Sequence, residues 1–204
     1  YIPPFATIKG DGPDKTKFNM TGNAVAMKTV NSSSTPGNYA DDSSSTADNQ
    51  AIGINLSGFT LQTASTTNPA IELTTAKDSV FHMIEITGTF TTGDTITEAN
   101  AGIKMSSLSS LVGTQKNKFE HVKVKNMCVG IVSDDDVYNN HFNCNYFEDL
   151  GKGIVFGANT VINSPGQSTG PCKDKFTNST FTDIDREGIV VTTGTNNTSS
   201  MNVF

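Results

Sequence analysis

The stretch Asn140-His141-Phe142-Asn143-Cys144-Asn145-Tyr146-Phe147-Glu148-Asp149-Leu150-Gly151-Lys152-Gly153-Ile154-Val155 decides the fold. Its large apolar residues stand at Phe142, Phe147 and Leu150, and a Gly-Ile-Val triplet closes it. The same arrangement precedes it as Asn117-Lys118-Phe119, Val124, Met127 and Gly130-Ile131-Val132. It follows again as Asp174-Lys175-Phe176, Phe181, Ile184 and Gly188-Ile189-Val190, and a fourth unit opens at Asn202-Val203-Phe204. From each leading Phe the next apolar residue lies five on and the third eight on; the Gly-Ile pair begins eleven on, or twelve in the last unit. The leading Phe residues are 23, 34 and 28 positions apart. Fixed strand patterns separated by insertions of variable length are what a solenoid requires, because each turn must stack on its neighbours while its loops are free to grow.

An unbroken strand alternates faces with period two, so a step of five puts both apolar residues inward only if the chain bends between them. The bend falls near His121, Cys144 and Asn178. The Gly before each Ile-Val suits a second bend, either through open backbone space or through close backbone approach. Each unit then reads as three short strands wound into a coil, with neighbouring coils pairing in parallel at a spacing of about 4.8 Å. The general handedness of parallel β crossovers makes the coil right-handed. Working outward, Ala101-Gly102-Ile103-Lys104-Met105 and Ala70-Ile71-Glu72-Leu73 read as further strands, and Phe81 with Ile86 and Ile54 with Phe59 keep the five-residue step. The fold class expected is all-β: a right-handed single-stranded parallel β-helix, residues 1–204 forming one domain with loops near 31–49, 106–116 and 157–173.

The same register makes side-chain predictions. Asn117, Asn140, Asp174 and Asn202 share one position, where a column of amides can hydrogen-bond from coil to coil, although Asn and Asp also simply favour turns. Lys125 aligns with Glu148, and Lys152 with Glu187, as vertical ion pairs. Composition agrees with short strands and many turns: 35% of residues are hydrophobic, 17% are charged, Trp is absent, and Thr, Ser, Asn, Asp and Gly dominate the rest. A net charge of −6 argues against a nucleic-acid partner. No apolar run is long enough to insert in a membrane. Cys128, Cys144 and Cys172 form neither a disulfide framework nor a zinc motif and read as core or turn thiols. In a chain this rich in Asn, Ser and Thr, triplets such as Asn19-Met20-Thr21 and Asn178-Ser179-Thr180 carry no weight as glycosylation sites.

The opening segment, Ile2-Pro3-Pro4-Phe5-Ala6-Thr7-Ile8-Lys9-Gly10-Asp11-Gly12 followed by Thr16, resembles the first coils of pectate-lyase-like β-helices and phage tailspikes. Paired with the later Ala-Gly-Ile-Lys, it is similar to structural tail proteins of myoviruses that infect marine bacteria. The resemblance implies a tail fibre or tailspike component located in the virion, working outside the cell as a homotrimer, in contact with other tail proteins and with a bacterial surface glycan or protein. A secreted bacterial β-helix protein and a purely architectural virion component are the competing readings. Tyr1 and Phe204 both fall within repeating units, which leads to the expectation of a longer polypeptide.

The same fold carries polysaccharide depolymerases, so the acids need weighing. A lyase requires a carboxylate cluster for calcium and a base; Asp134-Asp135-Asp136 is the nearest approach, and three successive Asp point in different directions, as in a solvated turn. A hydrolase requires two carboxylates across a groove. Asp149 and Asp183, at one position of successive coils with Glu148 beside them, are the best pair, and Lys152 and Arg186 nearby suit a solvated, screened face. His82, His121 and His141 share no ligand spacing. No catalytic, cofactor-binding or metal-ligating residue is assigned, no cofactor is expected, and the reading leans away from an enzyme.

Overall fold

The computed structural model describes residues 1–29, 51–106, 113–134, 137–156 and 174–191. These residues form a right-handed parallel β-helix in which every strand pairing is parallel and three sheets run along the coil axis. One complete coil runs through Thr114–Gln115, Lys118–Glu120, Lys123–Lys125 and Val129–Ser133. The next repeats it through Val137–Tyr138, His141–Asn143, Tyr146–Leu150 and Lys152–Phe156. A coil therefore has four short strands where three are predicted. The extra one belongs to a four-stranded sheet of two-residue strands: Ala51–Ile52, Ala76–Lys77, Thr114–Gln115 and Val137–Tyr138. The predicted loop 106–116 is correspondingly shorter, since Ala101–Ser106 is strand to its end and Thr114–Gln115 is strand again. The loops near 31–49 and 157–173 lie outside the described residues, as do Cys172 and Asn202.

The corners explain the five-residue step. Before each leading apolar residue, Gly53, Asp78, Lys116 and Asn139 form one column with φ of 69°, 49°, 56° and 58°. At the bend within the step, Gly58, Met83, His121, Cys144 and Asn178 form a second, with φ of 71°, 52°, 54°, 54° and 54°. Asn126, Asp149 and Asp183 form a third at 54°, 53° and 53°. A single left-handed residue turns the chain sharply without breaking the stacking, and Asn, Asp and Gly adopt that conformation at least cost. The Gly of Gly-Ile-Val is different. Its φ is not positive; what it needs is room, since a Cβ on Gly130 would lie 2.5 Å from the Gly153 carbonyl oxygen and 2.7 Å from Phe147 Cδ1.

Inside the coil, apolar side chains stack at each level. Phe81, Phe119, Phe142 and Phe176 make one column, Ile86, Val124, Phe147 and Phe181 a second, and Ile71, Ile103, Ile131, Ile154 and Ile189 a third. Met127 and Leu150 are buried as predicted. Phe181 and Ile184 are only partly buried and Ile189 is 37% exposed, because they lie on the last described coil and no described coil covers them. One predicted register is corrected. Leu56 and Leu61, not Ile54 and Phe59, stand over Phe81 and Ile86. All four are buried, and the pairs 54/59 and 56/61 both satisfy a five-residue step, so the step alone does not choose between them. A smaller apolar cluster lies outside the coil, where the segment 88–100 lays Phe90 and Ile96 over Cys128, Val129, Val132 and Val155.

Buried polar groups are matched by columns of their own. Ser79 accepts the Ile54 amide at 3.1 Å, Asn117 Oδ1 that of Ser79 at 3.1 Å, and Asn140 Oδ1 that of Asn117 at 3.1 Å. Asp174 Oδ1 accepts the Asn140 amide at 2.6 Å. The predicted Asn/Asp column is therefore present from Asn117 to Asp174 and extends back to Ser79. A single Asn145, buried beside it, accepts from Val122 N at 2.9 Å and donates to the Phe119 carbonyl at 3.2 Å.

Candidate functional site

Outward-facing residues of the large sheet are polar almost throughout, because the inward positions take the apolar set. Register places Lys9, Ser57, His82, Glu120, Asn143 and Thr177 in one outward column. Beyond the bend, Lys17, Thr60, Glu85, Lys123, Tyr146 and Thr180 form another.

A groove of about 710 Å³ opens on this face at the first coils. One wall is the turn Gly10-Asp11-Gly12, and the floor and far side are Asn55, Ser57, His82, Met83 and Glu120. The wall is held by backbone bonds: the Gly10 amide donates to the Ser57 carbonyl at 2.8 Å and the Gly12 amide to the Gly58 carbonyl at 2.8 Å. Thr16 Oγ1 accepts the Asp11 amide at 3.0 Å, which closes the turn. Gly58 is required where the two chains cross, since a Cβ there would lie 2.5 Å from the Gly10 carbonyl oxygen. The Gly-Asp-Gly…Thr motif of the opening segment is thus the wall of a groove as well as a turn. Met83 is 45% exposed at the bend, and the rings of His82 and His121 meet edge to face at 5.7 Å. The groove offers hydroxyl, amide, imidazole, carboxylate and, from Lys9, ammonium groups beside the exposed Met83, which suits a polar ligand with apolar faces.

The charges beside it are arranged differently from the predicted pairs. Lys125 is in register with Glu148, but its ammonium reaches back to Glu85 at 2.7 Å. Glu148 is taken instead by Lys123 at 2.7 Å, and Lys123 also lies 5.1 Å over the Tyr146 ring. Lys152 pairs with Glu98 of the 88–100 segment at 3.1 Å, not with Glu187. The predicted backbone register holds in both cases, since Ile154 pairs with Ile189 two residues beyond Lys152 and Glu187, and the long side chains choose other partners. Burial works against ionisation of Glu85, yet the Lys125 ammonium with its hydrogen bond, helped by Lys123, holds the carboxyl below its ordinary value. For Lys123, the hydrogen bond to Glu148 raises the ammonium above its usual value.

The candidate acids fall apart as a catalytic set. Asp149 and Asp183 occupy the left-handed third corner and are exposed, with Glu148 bound by Lys123. Their identity follows from the backbone they adopt. Asp134 is not in a solvated turn: it is 8% exposed, its amide donates to the Met105 carbonyl at 2.9 Å, and its carboxylate lies 3.7 Å from Lys104. Asp135 and Asp136 lie outside the described residues. His141 meets Thr177 Oγ1 at 3.2 Å, on the outer face away from the other two imidazoles. Cys128 is buried, and burial pushes its thiol up; Cys144 is the corner residue described above. Among the described residues no group of three or more His, Cys, Asp or Glu side chains is placed to hold a metal ion. Sequence reasoning did not single out the groove, although Gly10-Asp11-Gly12 signalled it: two glycines around an acidic residue mark a point where the backbone passes close to another chain.

No family model, no curated protein and no solved structure matches the chain.

Proposed function

We propose that the chain is a structural and adhesive part of a virus tail fibre or tailspike, a stiff β-helix whose outer face holds a bacterial surface glycan. The observation that carries this reading is the groove beside Gly10-Asp11-Gly12, open along a face of evenly stacked polar side chains. Repeated coils present hydroxyl, amide and imidazole groups at a regular spacing, which matches a ligand made of repeating polar units. The stacked core keeps that face rigid, so little ordering entropy is lost on binding. In a homotrimer, three weak sites acting together would give useful avidity. The location is the virion tail, in contact with other tail proteins.

A polysaccharide depolymerase is the second reading, and it rests on Asp11, His82 and Glu120 around the same groove. Incubation with host envelope polysaccharide separates the two. Binding without new reducing ends or unsaturated sugars supports the adhesive reading. Turnover that disappears in Glu120→Gln supports the depolymerase. Light scattering on the recombinant chain tests the trimer, and a monomer would overturn that part.

A further inference from the structure

We propose that Phe5 is a sugar-stacking side chain at the edge of the Gly10-Asp11-Gly12 groove, a platform for the apolar face of a pyranose ring; the assignment rests on the glycan-holding reading of that groove. Two observations carry it, and the first is backbone strain. Pro3, Pro4, Phe5 and Ala6 make a turn closed by the Ala6 amide, which donates to the Pro3 carbonyl at 3.3 Å. Phe5 is its third residue, with φ of 61°. A turn that needs positive φ there takes Gly or Asn by preference, and a bulky aromatic is disfavoured in that conformation. Burial does not offset the cost, since Phe5 is 74% exposed. One edge of the ring rests over Gly53, where a Cβ would lie 2.9 Å from Phe5 Cδ1 and 3.2 Å from Cε1. The exposure does not come from lying on the first coil. Phe5 stands in the left-handed corner column of Gly53, Asp78, Lys116 and Asn139. Asp78 and Lys116 are exposed there although described coils flank them on both sides.

The second observation is position. Gly53 stands two residues before Asn55, which floors the groove with Ser57 and His82. At the other end of the same floor the bend column holds Met83, likewise left-handed with φ of 52° and 45% exposed. The floor thus runs between two corners about 16 Å apart along a strand. Each corner presents a large apolar side chain on a backbone that disfavours it. In the coil between Phe5 and Met83 both corners are glycine, Gly53 and Gly58, and carry no side chain of their own. A polar floor between two apolar edges matches a short oligosaccharide, whose hydroxyls ring the rim of each sugar and whose C–H groups form its faces. Such C–H groups are attracted to the negative face of an aromatic ring. The strained turn then has a reason: Asn or Gly would hold it at less cost and would supply no face to stack on.

The test is binding of the full chain to an array of bacterial envelope polysaccharides, followed by calorimetry of the strongest binder on four variants. Ser57→Trp fills the groove and should abolish binding. Phe5→Asn should weaken binding about three- to tenfold. Its thermal midpoint should be unchanged or raised, because Asn suits the left-handed turn. Phe5→Leu keeps apolar bulk without a ring face and should weaken binding as Phe5→Asn does, whereas Phe5→Tyr should bind like the unmodified chain. An unmodified chain that binds no polysaccharide, or binding that survives Ser57→Trp, overturns the glycan reading of the groove and the platform with it. Binding that is lost in Ser57→Trp but unchanged in Phe5→Asn or in Phe5→Leu overturns the platform alone. A lowered thermal midpoint in Phe5→Asn, or its failure to fold, marks the ring as a packing group and also overturns the platform.

Discussion

The rings of Phe119 and Phe142 lie 4.6 Å apart and 6° from parallel, one coil above the other. Strand pairing sets that separation, and rings on successive coils of this column stack face to face. Phe142 is fully buried between Phe119 and Phe176, whose ring lies 4.3 Å beyond it. Phe142→Ala should lose about 3–5 kcal/mol in urea unfolding, from lost transfer energy and the cavity between two rings that the backbone keeps apart. Phe142→Leu should lose less, because it refills part of that volume.

Asn140 fills three bonds at once: it accepts from the Asn117 amide and side chain and donates to the Thr114 carbonyl. Asn140→Ala leaves those groups buried without their partner, and unsatisfied buried groups cost about 1–3 kcal/mol each, so the loss should approach that of the Phe142 cavity. Gln62→Ala, at an exposed outward position of the same solenoid, should stay within about 0.5 kcal/mol. Equal losses for the two variants would mean that the column is not a stabilising feature.

Glycines can be ranked by what surrounds them. Gly130→Ala places a methyl against the Gly153 carbonyl oxygen, Phe147 and Leu150, so it should destabilise by about 1–3 kcal/mol through overpacking. Gly22→Ala meets nothing within 4 Å and has no left-handed backbone, so it should be neutral or gain about 0.4–1 kcal/mol through the unfolded chain. Thermal midpoints of the two variants measured side by side check the order.

The parts of this fold that were legible in the sequence are those where one residue type recurs at one level. Phe119, Phe142 and Phe176 announce their register because the same ring recurs at one level of successive coils. Asn117, Asn140 and Asp174 do so because the turn before them must satisfy the same amide. Where two apolar residues share a face two positions apart, as Ile54 and Leu56 do, periodicity cannot choose between them, and it is Leu56 that stands over Phe81. The strand Thr114–Gln115 is invisible to periodicity, because two residues carry no pattern. Charge partners were hidden for another reason: the Lys123 and Lys125 ammonium groups reach beyond their own level, so backbone register does not name their carboxylates. The groove was less visible than the core. Its wall is a Gly-Asp-Gly turn, and only the crossing of Gly10 over Gly58 makes that turn a surface for a ligand.

Acid should expose the Glu85–Lys125 pair selectively. The folded carboxyl of Glu85 sits below its unfolded value of 4.5, so its contribution is present above that value and is lost as pH falls through the folded one. Both side chains are partly exposed, which limits the pair to about 0.2–1 kcal/mol. Lys125→Met should therefore lower the urea midpoint slightly at pH 7 and not at pH 3. The gap at pH 7 should also narrow in 1 M salt, on the order of a 3 Å screening length.

Asp149 and Asp183 separate a backbone role from a catalytic one. Both hold the left-handed corner, with φ of 53°, and both are exposed. Asn tolerates that conformation as Asp does and removes the repulsion between like charges on adjacent coils. Asp149→Asn, alone or with Asp183→Asn, should therefore leave stability unchanged or slightly raised. Asp149→Val keeps neither the local hydrogen-bonding side chain nor the conformational tolerance, and should lose about 1–3 kcal/mol as the β-branched residue is forced into a left-handed turn. The same variants bear on function. If the two carboxylates were an acid pair acting on a polysaccharide, Asp149→Asn would abolish release of reducing ends while leaving unfolding unchanged. The geometry predicts instead that glycan binding and any release of reducing ends are the same in Asp149→Asn as in the unmodified chain, and that only Asp149→Val changes anything, by loosening the coil. Unfolding midpoints and a reducing-end assay on the three variants distinguish the cases.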